Sequence, residues 1–359
     1  MEFNNLIPLL KDETVINRDR YLYAMDRRMF IKSSAMLPMT YTTGKLYQPS
    51  PPPLQKPAAI PRNNARVGLI TPAGALTRSA FEKTVNNLEQ LGMSVSYSSN
   101  LRVRADFLSG TDQQRIDDIH SFFSNDQIDA ILCARGGYGT TRLLDSINYD
   151  IIRANPKPFI GYSDITALLS AFYKHAGLVC FHGPVGASEF NDFTITSFQD
   201  TLVAGEKTKL ESEYPFVIQD GVAEGRLFGG NLSLLTSLLG TPHDVDYAGH
   251  ILCVEEIGES PYRIDRMLTQ LLSAGKLQRA AGIALGYFTN CDTKPDDPHY
   301  EYSIGLMEIF HDRLSGLGIP VVFGFPFGHE KRNATFPIGI NAILDASKGK
   351  IKLLESAVA

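Results

Sequence analysis

The sequence predicts an α/β fold: an N-terminal domain with a doubly wound, mostly parallel sheet, and a smaller C-terminal mixed α/β domain rich in β structure. The first observation is an alternation of apolar, strand-like segments with segments of helical periodicity between residues 66 and 184. The second is the continuously apolar run IDAILC, which is typical of a parallel strand covered on both faces. The third is the closing pair FPIGINAILD and KIKLLE, which has antiparallel character.

The N-terminal elements alternate between strand and helix. Strands are predicted in ARVGLI, GMSVSYSS, IDAILC, KPFIG and LVCFHGP, and helices over residues 80–91, 111–123 and 141–147 and after Ser163. Ligands of such sheets bind beyond the carboxyl ends of the strands. The segments ARGGYG and GYSD both follow strands at that edge, so we expect them to face one crevice.

A polar segment separates the two predicted domains. Residues 191–220 are interpreted as a linker between an N-terminal domain over residues 63–190 and a C-terminal domain over residues 221–359. Within the second domain, HILCVEEIG, AGIALGYF and IPVVFGF predict strands, YRIDRMLTQLLSAG predicts a helix, and another helix is predicted over residues 302–314. No internal repeat is visible in the sequence.

Residues 1–62 are predicted to lie outside the fold. The segment RRMFIK, beginning at Arg27, resembles a twin-arginine export signal, although the apolar region after it is short and Met25 is an alternative start. Residues 48–62 are rich in proline and predict an extended linker. We expect an exported, periplasmic protein, with a cytoplasmic location as the alternative.

Composition argues against two classes of partner. The formal net charge of -5 disfavours nucleic acid, whose binding proteins normally present a basic face. No segment approaches the roughly 18 consecutive apolar residues of a membrane-spanning helix.

The four cysteines form no CxxC motif and are interpreted as buried free thiols. A homodimer is compatible with this composition, which carries no signal for the oligomeric state.

Ser163 follows a predicted strand and precedes a predicted helix in FIGYSDITALLSAF. One interpretation is a helix cap, in which the serine side chain accepts a backbone N–H hydrogen bond and Asp164 suits the positive end of the helix. The other interpretation is a nucleophile on a tight turn, for which Gly161 provides the backbone freedom. This stretch alone leaves both interpretations open.

A nucleophilic serine needs a base and a carboxylate that orients it. Of eight histidines, His329 is the strongest candidate because FGFPFGHE places it after a strand in a glycine-flanked turn. The carboxylate candidates Glu255 and Glu256 end an apolar strand, and since adjacent strand residues point to opposite faces, only one can face a given site. Glu259 is interpreted as a salt-bridge or capping residue.

The glycines of ARGGYG predict an oxyanion hole or an anion-binding turn. Gly136, Gly137 and Gly139 let backbone N–H groups point outward without obstruction by side chains. The segment lacks the spacing of a nucleotide-binding motif. A metal site is not expected either. The loop near residue 295 contains residue types that can bind metals, but their spacing matches no recognised metal-binding motif; these residues are Cys291, Asp292, Asp296, Asp297 and His299.

The motifs ARGGYG, GYSDITALL, FHGP, GGNLSLL, VEEIGESPYRIDRML and GFPFGH occur in this order from residue 66 onward. Together they resemble the LD-carboxypeptidase family of serine peptidases, which includes murein tetrapeptide carboxypeptidases and microcin C immunity hydrolases. The resemblance implies Ser163 as the nucleophile, His329 as the base and Glu255, or second Glu256, as the triad acid. It also implies an active site between an α/β domain and a β-rich domain.

The resemblance further implies the reaction, which is hydrolysis of the amide that joins an L-centre to the terminal D-alanine of a murein stem peptide, without a cofactor. In such a reaction the N–H groups of Gly137 and Asp164 would hold the oxyanion. Arg135 and Gly136 are the candidates for binding the substrate, with Arg135 facing a carboxylate. A structural ion pair is the alternative role of Arg135.

Two other functions compete with this one. The microcin C branch is expected to stack a nucleotide on a tryptophan, and the absence of tryptophan from the chain disfavours it. A non-catalytic periplasmic ligand-binding protein would also have two α/β domains behind an export signal. Such a receptor would not need Ser163 and His329.

Overall fold

Two β-sheets organise the protein. A computed structural model of the chain describes residues 52–293 and 304–359. The first sheet contains β1 (Arg66–Ile70), β2 (Ser94–Tyr97), β3 (Ala130–Cys133), β4 (Phe159–Gly161), β5 (Cys180–His182) and β12 (Phe336–Ile338). Its order is β12-β5-β4-β3-β1-β2, in which β1 to β5 are parallel and β12 runs antiparallel to β5. Side chains at the carboxyl ends of β3, β4 and β5 therefore meet at one edge.

The helices of the first half connect these parallel strands. They are α1 (Arg78–Gln90), α2 (Asp112–Ser124), α3 (Tyr149–Ala154), α4 (Thr166–Ala171) and α5 (Asp192–Leu202). A capping box formed by Thr111 and Gln114 begins α2. Residues 141–147, predicted as a helix, instead form two 3₁₀ turns, Thr140–Arg142 and Leu144–Ser146. The Thr140 N–H donates to the Asp164 side chain, so a long-range bond fixes the start of this segment.

The second sheet is larger and mixed. It contains β6 (Lys209–Glu211), β7 (Phe216–Gln219), β8 (Val222–Asn231), β9 (His250–Ile257), β10 (Gly282–Thr289), β11 (Val321–Phe323), β13 (Asn341–Asp345) and β14 (Lys350–Leu353). Its order is β6-β14-β13-β8-β9-β10-β11-β7. The four central strands β8 to β11 are parallel, and antiparallel strands flank them on both sides. The predicted mixed α/β fold class is confirmed.

Three helices accompany the second sheet: α6 (Leu232–Ser237), α7 (Pro261–Ser273) and α8 (Leu306–Leu314). The last was predicted to begin near residue 302; residues 302 and 303 lie outside the described residues, and Gly305 is the N-cap. All four cysteines are buried and free, as predicted. Within the described ranges, no helix has both the length and the apolarity needed to cross a bilayer.

The chain crosses the proposed domain division in two places. Residues 191–220, interpreted as a linker, contain α5, β6 and β7. Strand β12 lies late in the chain but pairs with β5 of the first sheet, with Phe336 opposite His182. The C-terminal half therefore supplies one edge of the N-terminal sheet.

The proline-rich segment before β1 belongs to the fold from residue 54 onward, which corrects the expectation that residues up to 62 lie outside it. The Gln55 N–H donates to the Gly177 carbonyl at 2.7 Å, and the Gln55 carbonyl accepts from the Val179 N–H at 2.9 Å. Ile60 is 1% exposed, and its N–H donates to the Leu202 carbonyl. Extended proline-rich backbone leaves its polar groups unpaired locally, so they can bond to distant segments. The twin-arginine-like segment lies outside the described residues.

Removal of the Ile60 side chain should destabilise the protein. For Ile60→Ala we expect a loss of about 3 kcal/mol of unfolding free energy, because a buried aliphatic side chain is replaced by a cavity. Denaturant unfolding of the purified variant measures this loss. Ile304→Ala is the matched control, because Ile304 is 51% exposed and should lose less than about 0.5 kcal/mol. Equal losses in the two variants would show that the segment does not contribute to the core.

Candidate active site

Ser163 lies on a strained turn between β4 and α4. Its φ is 65°, a left-handed conformation that is uncommon for a residue with a side chain. Gly161 permits the turn, since a Cβ there would lie 2.8 Å from Ile165 Cγ2. The helical turns that follow have no side-chain capping hydrogen bond at their N-caps. The Ser163 hydroxyl is therefore not used as a helix cap, and the turn presents it at the strand end.

The glycine turn ARGGYG lies directly against Ser163. A Cβ on Gly136 would lie 3.0 Å from Ser163 Cβ and 3.2 Å from Ser163 Oγ, so only glycine leaves the hydroxyl uncrowded. Gly137 has a φ of 117°, which glycine adopts freely. The two motifs therefore lie side by side at the ends of their strands.

The side chain of Asp164 joins the two turns. Its Oδ2 accepts a hydrogen bond from the Thr140 N–H at 2.9 Å, and its carbonyl oxygen accepts from Thr140 Oγ1 at 2.5 Å. Burial raises the pKa of this carboxyl group, and the hydrogen bonds from Thr140 oppose that effect. The Asp164 side chain thus has a structural partner, and only its backbone N–H remains as a candidate for oxyanion binding.

Arg135, the candidate for binding a substrate carboxylate, is partly engaged by the backbone. Its Nη1 donates a hydrogen bond to the Ala75 carbonyl oxygen at 2.8 Å. That bond fixes the side chain beside the glycine turn, since a Cβ on Gly137 would lie 3.7 Å from Arg135 Nη2. The positive charge of the guanidinium group is therefore held next to the turn that contacts Ser163.

Glu255 and His329 are brought together from β9 and from the loop between β11 and β12. His329 Nδ1 lies 2.7 Å from Glu255 Oε2. Because a carboxylate only accepts, Nδ1 carries the proton of this hydrogen bond, and Nε2 is left free to accept another. Gly328 makes the approach feasible, since a Cβ there would lie 3.1 Å from Glu255 Oε2.

The imidazole of His329 packs beside the serine turn. Its ring centroid lies 4.7 Å from that of Tyr162, the residue that precedes Ser163. Among the hydrogen bonds of the described residues, none joins the Ser163 hydroxyl to His329. Such bonds often tighten only when a substrate is bound. His329 thus contacts Glu255 and packs against the residue before Ser163, and one of the two hydrogen bonds expected of the three side chains is formed.

Burial and charge act against each other at Glu255, which is 0% exposed. Burial alone would raise its pKa, but the imidazoles of His182 and His329, one near each carboxylate oxygen, lower it to about 2. Glu255 is therefore ionised at neutral pH. An ionised carboxylate is what orients a histidine base and stabilises its protonated form.

Glu256 points to the opposite face of β9 and has a different role. Its oxygens accept from Asn231 Nδ2 and from the Ser233 N–H, both at 2.7 Å. The Ser233 N–H belongs to the first turn of α6, so Glu256 caps that helix. Burial raises the pKa of Glu256, opposed by these hydrogen bonds. Of the two glutamates that the sequence left open, Glu255 is the one that contacts His329.

His182 is a residue near this site that the sequence analysis did not single out. It ends β5, opposite Gly161 in the register of the parallel pair β4 and β5. Its Nε2 lies 3.8 Å from Glu255 Oε1, and both side chains are 0% exposed. Two signals were available: His182 belongs to the motif FHGP, which is part of the family resemblance, and it ends the strand next to the one that leads to Ser163.

The remaining candidates have structural partners or lie outside the described residues. Glu259 forms an ion pair with Arg263 at 3.1 Å, and Ser260 is the N-cap of α7, so Glu259 has the salt-bridge role and not the capping role. Asp292 accepts from the Leu306 N–H at the start of α8. In residues 52–293 and 304–359, no group of three or more His, Cys, Asp and Glu side chains is arranged to hold a metal ion. Asp296, Asp297 and His299 are not described.

Comparisons with known proteins cover both halves of the described fold. The sequence model of the LD-carboxypeptidase N-terminal domain matches residues 67–183, and that of the C-terminal domain matches residues 224–344. The chain is 38% identical to a probable murein peptide carboxypeptidase of Bacillus subtilis, a match that covers 84% of this chain and 95% of the relative. It is 34% identical to a murein tetrapeptide carboxypeptidase of Pseudomonas aeruginosa, covering 79% and 94%.

The fold also matches a solved structure. The crystal structure of muramoyltetrapeptide carboxypeptidase from Oxalobacter formigenes superimposes with a TM-score of 0.72 at 33% identity, covering 80% of this chain and 98% of that one. Sequence and structure therefore agree over both halves of the described fold. The chain belongs to the LD-carboxypeptidase family and is a serine-type carboxypeptidase, a hydrolase.

Proposed function

We propose that the protein releases the terminal D-alanine from murein tetrapeptides by hydrolysing the amide between an L-centre and that D-alanine. The observation that carries the proposal is the 2.7 Å hydrogen bond between His329 and Glu255, beside the turn that presents Ser163. The relatives named as murein peptide carboxypeptidases supply the substrate class.

The first half of the proposed reaction forms an acyl-enzyme. His329 Nε2 takes the proton of the Ser163 hydroxyl while Oγ attacks the carbonyl carbon of the scissile amide. His329 then gives that proton to the leaving amine, the C–N bond breaks and D-alanine departs. Glu255 keeps its charge throughout and stabilises the imidazolium that forms.

The second half regenerates the serine. Water takes the place of the departed amine, and His329 removes a proton from it as its oxygen attacks the ester carbon. The bond to Ser163 Oγ breaks, and Oγ recovers the proton from His329. The shortened stem peptide then leaves with a free carboxylate, so the site is restored without any external reductant, oxidant or cofactor.

The oxyanion of both steps is assigned to the backbone N–H groups of Gly137 and Asp164. Support comes from Gly136, which lies against Ser163 Oγ, and from the Thr140 hydrogen bonds, which fix Asp164 relative to the glycine turn. Loss of one such donor typically costs about a hundredfold to a thousandfold in turnover. The positive charge of Arg135, beside Gly136, is suited to a carboxylate of the substrate.

The substrate assignment can be tested with purified protein and defined stem peptides. The proposal expects alanine release from a tetrapeptide and none from the matching tripeptide or pentapeptide, measured by mass spectrometry. If the protein cleaved a peptidyl-nucleotide and none of the stem peptides, the reaction would instead be of the microcin C type. Binding without any cleavage would favour the ligand-binding protein.

Replacement of Ser163 should remove catalysis and leave the fold intact. For Ser163→Ala we expect D-alanine release to fall by about six orders of magnitude, or to the uncatalysed background. Tm should change little, since the hydroxyl caps no helix. The matched control is Ser170→Ala, because Ser170 in α4 is fully buried and its hydroxyl has no partner among the described residues. A large loss of Tm in Ser163→Ala with activity retained would contradict the nucleophile assignment.

Substitution of Glu255 should affect catalysis, whereas substitution of Glu256 should affect stability. Glu255→Gln keeps the shape of the side chain but removes its charge, so we expect kcat to fall by roughly 10³ to 10⁴. Glu256→Gln should leave kcat within about threefold of wild type and cost about 1 kcal/mol of stability at the start of α6. Steady-state kinetics and denaturant unfolding of both variants measure these effects. The reverse pattern would make Glu256 the triad acid.

Glu255 should also make stability depend on pH in the acid range. Its pKa is lowered from 4.5 to about 2 in the folded protein, so its stabilising contribution is full above pH 4.5 and is lost as the pH falls towards 2. Between pH 5.5 and pH 3, wild type should therefore lose more unfolding free energy than Glu255→Gln. Urea unfolding at the two pH values gives the difference. Identical losses would mean that the folded pKa is not depressed.

A further inference from the structure

His182 is buried between the two sheets at the proposed triad. It is the last residue of β5, and its neighbours in the first sheet are Gly161 of β4 and Phe336 of β12. Its side chain is 0% exposed. The mechanism described above does not use it.

His182 faces the carboxylate of Glu255. His182 Nε2 lies 3.8 Å from Glu255 Oε1, while the other oxygen of the same carboxylate accepts from His329. Among the described residues, neither Glu255 Oε1 nor either ring nitrogen of His182 has a hydrogen-bond partner. One carboxylate is therefore placed between two imidazoles, one at the end of β5 and one in the loop between β11 and β12.

Aromatic side chains hold the imidazole plane of His182. The ring of Phe336 stacks on it at 4.5 Å with an interplanar angle of 15°. Phe327 and Tyr162 approach it edge-on, with ring centroids at 6.1 Å and 5.8 Å. Since Phe327 lies two residues before His329 and Tyr162 lies one residue before Ser163, the cage connects both catalytic loops to this ring.

Space filling does not account for a histidine here. A phenylalanine would pack in the same aromatic cage without burying two polar nitrogens, and buried polar atoms without partners cost free energy. The free-energy cost of burying the imidazole is compensated only if one of its nitrogens interacts with the carboxylate that it faces. The 3.8 Å separation is about 1 Å longer than a hydrogen bond, so a small movement of Glu255 closes it.

We propose that His182 is a positioning residue: its Nε2–H is directed at Oε1 of Glu255 and holds that carboxylate so that Oε2 faces His329 Nδ1. This inference rests on the proposed function for its kinetic consequences, because the effect on turnover passes through Glu255 and His329. His182 does not touch the substrate. The lowered pKa of Glu255 agrees with it, because two imidazoles oppose the effect of burial.

The kinetic test compares two substitutions at this position. His182→Phe keeps the aromatic packing and removes the donor, so kcat for D-alanine release should fall about tenfold to a hundredfold with KM unchanged. His182→Gln places an amide donor near the position of Nε2 and should recover most of that loss. Wild-type kcat in His182→Phe, or equal losses in both variants, would overturn the proposal.

A distant buried histidine controls for loss of structure. His243 is 6% exposed and is hydrogen-bonded to His175 and Asp145. His243→Phe should lower Tm and leave kcat and KM as in wild type. A matching fall in kcat would show that loss of any buried histidine slows the enzyme, which contradicts a specific role of His182.

A spectroscopic test does not depend on the reaction. Long-range ¹H–¹⁵N spectra of the histidine rings in Ser163→Ala should show His182 with its proton on Nε2, slow to exchange because the ring is buried. A proton on Nδ1 alone would overturn the inference. If wild type fails to release D-alanine, the proposed function fails, while these spectra still decide whether His182 donates to Glu255.

Discussion

A buried negative charge is the constraint on which the rest of this site depends. Glu255 has no contact with water, and an isolated carboxylate in such a place would be strongly destabilising. It is tolerated because His329 donates to one oxygen and His182 lies near the other. Since Glu255 lies in β9 of the second sheet and His182 lies in β5 of the first, the two halves must meet in one arrangement for the charge to be compensated.

The glycine turn and the serine turn are likewise fixed relative to each other. Gly136 lies against Ser163, and the hydrogen bonds between Thr140 and Asp164 lock the two segments together. A backbone donor for an oxyanion is useful only if its position is set before the charge develops. In the sequence, the Asp164 carboxylate looks like a partner for the end of the helix. In the structure it accepts a hydrogen bond from Thr140 and so holds the serine turn against the glycine turn.

Local sequence features indicated candidate residues for the site, and the resemblance to a known family chose among them. Alternating apolar and helical segments predicted the parallel sheet, because burial on both faces imposes that pattern on each strand. Ser163 follows β4, Glu255 lies near the end of β9, and His329 follows β11 in a glycine-flanked turn. His182 could not be found in this way, because its significance lies in its contact with Glu255, and a local window shows only a buried strand. The proline-rich segment was misjudged for the same reason, since the groups that bind it lie far along the chain.

The antiparallel strand β12 has a consequence for how the chain reaches its native state. In a ribosome-bound chain, β5 is synthesised long before Phe336 is available to pair with His182. Until then the first sheet has an open edge at the strand that ends beside the serine turn, and such edges are prone to pairing with other chains. Closing a loop of this length is also slow, because the contact is highly non-local. Completion of the first sheet is therefore a late event in biogenesis, and an incomplete chain would expose an aggregation-prone edge beside the serine turn.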